Sequence, residues 1–202
     1  MDDECAKPRP RDRIVETASS LFRRHGIRGI GVDAIAEAAG TNKMTLYRHF
    51  RSKDELIAAC LSAQAARTDE KWADLKRANP DNAAAQLRAW IAMAAGYIGA
   101  DSGGCDLANA AIELREAGHP ARLMIEQLKQ EQRNQLASVC RAAGAADAEL
   151  LADTLYLLLE GARTSRQSAG PQGPCTCFVR AAEAVASSAI GARPPSADPK
   201  NG

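Results

Sequence analysis

Between positions 43 and 53 the chain gathers side chains suited to holding an anion. Lys43, Thr45, Tyr47, Arg48 and His49 fall within a single short stretch, and Lys53 follows. Ammonium, guanidinium, hydroxyl and imidazole groups crowded on one helical surface are the donors that meet phosphate oxygens and the polar edges of bases. Leu46 and Phe50 are interleaved with them at a spacing of four, so a helix would bring both to its inner side. Met44 or Thr45 is also available to that side. A short helix with an apolar inner edge and a donor-rich outer edge fits the major groove of DNA. Alone, each of these polar residues would be an ordinary solvated side chain; the spacing makes the case.

Such a helix needs a scaffold, and the flanking pattern predicts one. From Asp12, Ile14, Ala18, Leu21 and Phe22 recur at helical spacing, and His25-Gly26 ends the run. Ile27 to Gly31 reads as a short connection. Val32, Ile35, Ala36 and Ala39 form the stripe of a second, shorter helix, stopped by Gly40. Ala36 is small enough for a close helix crossing, and Gly40 can take the left-handed turn conformation. Thr41 or Asn42 can cap the third helix, which runs to about His49. Ser52-Lys53-Asp54-Glu55 reads as a cap with an acidic first turn, opening a fourth helix with Leu56, Ile57 and Leu61 inside.

These residues together resemble the head of the tetracycline-repressor (TetR) family. The resemblance spans roughly residues 11–61 and rests on Ala18, Leu21, Phe22, Gly26, Ile35-Ala36, Ala39-Gly40, Thr45-Leu46-Tyr47, His49-Phe50 and Ser52-Lys53-Asp54-Glu55-Leu56. It implies an all-helical homodimer that binds double-stranded operator DNA, with a ligand pocket and dimer interface in its larger C-terminal part. By the same resemblance Lys43, Thr45 and Arg48 match groove-facing positions. Tyr47 and His49 match phosphate contacts, and Lys53 matches a lysine that opens the fourth helix and holds the backbone. Two positions depart from the pattern: Gly31 stands where a Thr or Ser is usual, and Met44 where a small residue is usual.

The remaining chain is alanine-rich, and its periodicity predicts helices over about 54–77, 82–100, 104–117, 120–143, 147–168 and 175–191. The expected organisation is a flexible arm at 1–10, a helix-turn-helix head at 11–53, a ligand-binding and dimerisation region at 54–191 and a disordered tail at 192–202. The fold class is therefore all-α, a three-helix head joined to a larger helical bundle. Gly104 to Leu114, with Gly118-His119-Pro120 after it, resembles a segment that in many relatives forms a helix between pocket and head. Candidate effector-binding residues are Trp90, Met93, Tyr97, Cys105, Leu107, Met124 and Tyr156. With eight aromatics in the whole chain, the expected pocket is modest and mostly aliphatic. Cys105 carries an alternative, because a helix start can activate a thiol for redox or electrophile sensing. Leu151, Leu155, Leu158, Leu159 and Ala162 mark one candidate dimer face. Phe178, Ala181, Ala182, Val185, Ala186 and Ala189 mark the other.

Composition narrows the classes. The net charge of +1 points to no partner, but its distribution is uneven. The first 53 residues carry eleven Lys and Arg against seven Asp and Glu, and the balance reverses afterwards. No run approaches the roughly 18 apolar residues of a membrane span. The acidic N-terminus does not read as a secretory signal, so a cytoplasmic protein with no membrane partner is expected. Six cysteines without a paired C-x-x-C, and three histidines, predict no metal site and free thiols. No Gly-rich phosphate loop, nucleophile elbow or metal-spaced cluster argues for an enzyme, and no cofactor is expected.

Overall fold

The computed structural model describes residues 9–100, 105–116 and 118–191. The predicted arm (save its last two residues), the break at Ser102-Gly103-Gly104 and the tail lie outside them. Among the described residues every regular element is helical: α1 (Pro10–His25), α2 (Val32–Ala38), α3 (Lys43–His49), α4 (Lys53–Ala78), α5 (Ala83–Gly99), α6 (Asp106–Glu113), α7 (Pro120–Ala142), α8 (Ala148–Ala169) and α9 (Phe178–Gly191). A 3-10 turn, Pro174–Cys177, precedes α9. Among the described residues no helix is long and apolar enough to cross a membrane.

The helices group into two compact units. The first joins the residues up to Glu70 with Cys105–Lys129, and the second joins Lys71–Gly104 with the residues from Gln130 onward. In the first, α1, α2 and α3 close over Ile14, Ala18, Ile35, Leu46 and Phe50, with Leu56 from α4 beneath. All six are at most 1% exposed, and each large apolar side chain so buried is worth about 1.5–3 kcal/mol. A second cluster, built on Ile57, Leu61, Leu107, Leu114 and Ile125, joins α6 and the start of α7 to α4. In the second unit Trp72, Trp90, Leu136, Leu151, Leu155 and Phe178 belong to one core. Burial pushes the Cys140 thiol there up to about 11.

Local signals explain most boundaries. Pro10 opens α1 ahead of the expected Asp12, since its fixed φ and missing N–H suit a first helical turn. At the end of α2, Gly40 sits at φ +62°, the Thr41 N–H reaches the Ala36 carbonyl and the Gly40 N–H reaches that of Glu37, both at 2.9 Å. Asn42, not Thr41, caps α3: its side chain accepts the Thr45 N–H at 2.9 Å. Ser52 Oγ accepts the Glu55 N–H at 3.1 Å, while Glu55 reaches back to the Arg51 N–H at 2.7 Å.

Two elements are shorter than their patterns. The helix expected over 104–117 ends at Glu113, because Leu114 turns into the core and the Glu113 carboxylate is committed elsewhere. The last helix begins at Phe178 rather than 175, because Pro174 starts the separate 3-10 turn.

Candidate nucleic-acid interface

The helix pair α2 and α3 presents one face inward and one outward. Leu46 is 0% and Phe50 1% exposed, whereas Lys43, Tyr47 and Arg48 are exposed and Thr45 and His49 half-buried. Met44, which sequence allowed on the inner side, is 68% exposed and belongs to the outer surface. Outer donors are held loosely: Lys43 Nζ donates to Asp33 Oδ2 at 3.0 Å, and Arg48 Nη2 lies 3.7 Å from Met44 Sδ. The hydrogen bond to Asp33 raises the Lys43 pKa above its ordinary value. From beneath, the Arg11 guanidinium lies 5.1 Å over the Phe50 ring. Gly31 is extended at the start of α2, and no side chain caps that helix.

Lys53 is placed differently. Its ammonium turns to the connection between α1 and α2 and donates to the carbonyls of Ile27 at 2.5 Å and Ile30 at 2.6 Å. It also lies 5.9 Å over the Phe22 ring. Desolvation there lowers its pKa, opposed by the nearby charges of Glu113 and Asp54.

The same connection is held from its other side by a residue that sequence reasoning missed. Glu113, the last residue of α6, accepts the N–H of Ile27 at 3.0 Å and of Arg28 at 2.8 Å. Asp106, the first residue of α6, takes the Arg23 guanidinium through Nε at 2.9 Å and Nη2 at 2.8 Å. Gly29 completes the arrangement: a Cβ there would stand 2.1 Å from the His25 carbonyl oxygen, so only glycine fits.

The seven candidate effector residues are divided between the two units. Trp90, Met93 and Tyr156 belong to the core of the second unit, where the Tyr156 hydroxyl donates to Gln132 Oε1 at 2.7 Å. Tyr97, in the same unit, lies under the Lys71 ammonium at 4.4 Å and the Arg163 guanidinium at 5.4 Å. Cys105, Leu107 and Met124 pack in the first unit instead, and Lys129 Nζ lies 3.3 Å from Cys105 Sγ. Helical periodicity marks such residues as apolar or aromatic but carries no information on which core each enters. Among the described residues no group of three His, Cys, Asp or Glu could hold a metal ion.

Several residues expected at a dimer face are spent inside the second unit. Leu151, Leu155, Leu159, Ala162, Phe178, Ala182 and Ala186 are all buried in its own core. What α8 and α9 leave open is offset by a residue or two: Leu150 is 62% and Leu157 72% exposed. Two shallow grooves run between the helices. One, of about 500 Å³, is bounded by Leu150, Thr154, Val185 and Ser188. The other, of about 310 Å³, is bounded by Leu157, Leu158, Gly161 and Ala181.

Comparison with known proteins agrees with this architecture. Residues 14–60 match the family model described as bacterial regulatory proteins, tetR family. The transcriptional repressor SCO4008 of Streptomyces coelicolor is 45% identical over 49 residues, which cover 24% of this chain and 26% of that protein. The chain thus spans about a quarter of the length of the curated relatives it matches. Solved structures align far more widely. The TetR-family regulator SCO4454 of S. coelicolor superposes with a TM-score of 0.80 at 26% identity, covering 90% of this chain and 96% of that one. The sav143 protein of Streptomyces avermitilis, described as a TetR transcriptional regulator, gives a TM-score of 0.75 at 31% identity over 90% and 98% of the two chains. A donor-faced helix-turn-helix, an all-helical remainder and full-length similarity at this identity lead to one conclusion: the chain belongs to the TetR family of transcriptional regulators.

Proposed function

We propose that two copies of this chain bind an operator as a repressor and release it when a small apolar molecule binds in the C-terminal region. The observation that carries the reading is the outer face of α3. Lys43, Thr45, Tyr47, Arg48 and His49 stand together on a helix whose inner edge, Leu46 and Phe50, is closed. Lys43, Thr45 and Arg48 read base edges and nearby phosphates, and Tyr47 and His49 hold the phosphate backbone. Lys53 contributes through the connection it holds, and by its charge to any phosphate above it. Similarity of the head to the transcriptional repressor SCO4008 supports repression. A regulator of this kind acts in the cytoplasm, where its operator is.

One head makes few base contacts, so a useful specificity ratio requires two half-sites and a dimer. The open face of α8 and α9, with Leu150, Leu157 and Gly161, is the proposed interface; its small residues let a second pair of helices approach closely. For release, the proposed effector enters the second unit, where Met93 and Tyr156 pack partly buried against the core that holds Trp90. A coupling of about 1–3 kcal/mol would lower operator affinity about 5–150-fold.

The test is fluorescence anisotropy on DNA from upstream of the gene and its neighbours, with and without a panel of apolar molecules. Specific, salt-dependent binding that a panel member weakens is expected. If affinity for every upstream fragment equals that for random duplex, the reading fails.

A further inference from the structure

Inside the unit that carries the donor face, α1, α4 and α6 leave a cleft of about 50 Å³ between them. None of the effector residues proposed above lines it. Its floor is apolar, made by Phe22, Ile57, Leu61 and Ala110. Ser19 lines it as well, and its Oγ is buried beside the Cys60 thiol. That thiol donates to the Val15 carbonyl, 3.6 Å away, and burial pushes it up, opposed in part by its hydrogen bond with Ser19. The rim is charged but engaged: Arg23 with Asp106, Arg67 with Gln64 at 2.9 Å, and Glu113 with the N–H groups of Ile27 and Arg28.

We infer that this cleft binds a small neutral amphiphile, an alcohol or ketone on a short aliphatic chain, and that such a ligand acts on the DNA-binding unit directly. Size sets the first limit. A water needs about 10–15 Å³ of such space, so the enclosed part admits about four non-hydrogen atoms and the rest of the ligand lies at the mouth. Charge sets the second. An ion would have to displace a rim group from its present partner and lie against an apolar floor, which is unfavourable. The polar contact is Ser19 Oγ, which can both donate to a carbonyl or hydroxyl oxygen and accept from a hydroxyl.

The wall of the cleft gives occupancy a consequence. Asp106 and Glu113 line it, and these two carboxylates hold α6 to α1 and to the connection ahead of α2. A ligand wedged between α1 and α6 strains both contacts and so disturbs the support of the helix-turn-helix. This route is separate from any effector in the second unit.

The experiment uses the full-length protein, with 1-butanol as probe and butyrate as its charged counterpart. Amide resonances of Ile27, Arg28 and Ala110 should shift saturably with 1-butanol at millimolar concentration and not with butyrate, while amides of the second unit stay still. Ala110→Leu fills the floor and should abolish the response. Ser19→Ala, which keeps the cleft open, should weaken 1-butanol about fivefold, the loss of one neutral hydrogen bond. Saturating 1-butanol should lower operator affinity at least twofold in the parent and leave the Ala110→Leu protein unaffected. Non-saturable shifts, equal responses to butyrate, or responses unchanged in both variants would overturn the assignment. Should Ala110→Leu fail to fold, Ser19→Ala decides alone.

Discussion

Replacing Glu113 by alanine removes one carboxylate and strands two backbone donors that lie 86 and 85 residues earlier in the chain. The Ile27 N–H is part-buried, so water replaces the lost acceptor poorly. A hydrogen bond to a charged acceptor contributes about 1.5–3 kcal/mol in such a setting. The Arg28 N–H is exposed and finds water, so its share is small, up to about 0.5 kcal/mol. The expected loss is about 2–3 kcal/mol. For a chain of this length that corresponds to a fall in Tm of about 4–12 °C, read by circular dichroism. Glu113→Gln retains one acceptor oxygen and should lose about half as much. Gly26 offers an internal check. A Cβ there would stand 3.0 Å from both Glu113 carboxylate oxygens and would also meet the strain of φ +74°. Gly26→Ala should therefore cost less in the Glu113→Ala background than in the parent, because the crowding disappears and only the backbone strain remains. A Tm of Glu113→Ala within 1 °C of the parent would refute the reasoning.

Three other perturbations are expected to read out cleanly. Arg48→Ala should weaken operator binding about tenfold or more and flatten its salt dependence, since it removes a donor proposed to meet bases or phosphates; anisotropy across a salt series measures both. Leu157→Glu, at a side chain 72% exposed and touching no core, should leave the secondary structure intact yet shift the protein from dimer to monomer in sedimentation. Thiol labelling at pH 8 should reach the exposed Cys177 and spare the buried Cys140 until denaturant is added. The folded-state pKa of Cys140 is raised from 9.0 to about 11, so folding favours its protonated form. Its contribution to stability is present below pH 9 and is lost as pH climbs towards about 11, which urea titrations at stepped pH would follow.

The head was legible because its determinants are local. Leu46 and Phe50 are one helical turn apart, Gly40 marks its own turn, and Ser52 and Glu55 spell a cap within four positions. Lys53 shows the limit of that reading. It opens the fourth helix as expected, but the carbonyls of Ile27 and Ile30 that it meets are more than twenty residues away, and no spacing rule joins them. Glu113 was invisible for the same reason. In α8 the difficulty was excess, not absence. Leu150, Leu151, Leu155, Leu157, Leu158 and Leu159 cover so wide an arc that a stripe can be drawn on either side. The structure turns Leu151, Leu155 and Leu159 inward and leaves Leu150 and Leu157 open. For the candidate effector residues the limit is of another kind: apolar and aromatic character says that a side chain is sheltered, not what shelters it.

The ties at the two ends of α6 have a mechanical meaning. One fixed point leaves a rod free to pivot, whereas two fix its axis. Asp106 and Glu113 are the first and last residues of the helix, about 10 Å apart at 1.5 Å per residue, and each is fastened to a different part of the α1 and α2 region. Cutting either tie leaves that end of the helix held by packing alone, through buried Leu107 at the start and Ala110 and Leu114 towards the end. Within this unit an eight-residue helix is thus pinned in direction by charge at its ends and in depth by the apolar residues between them.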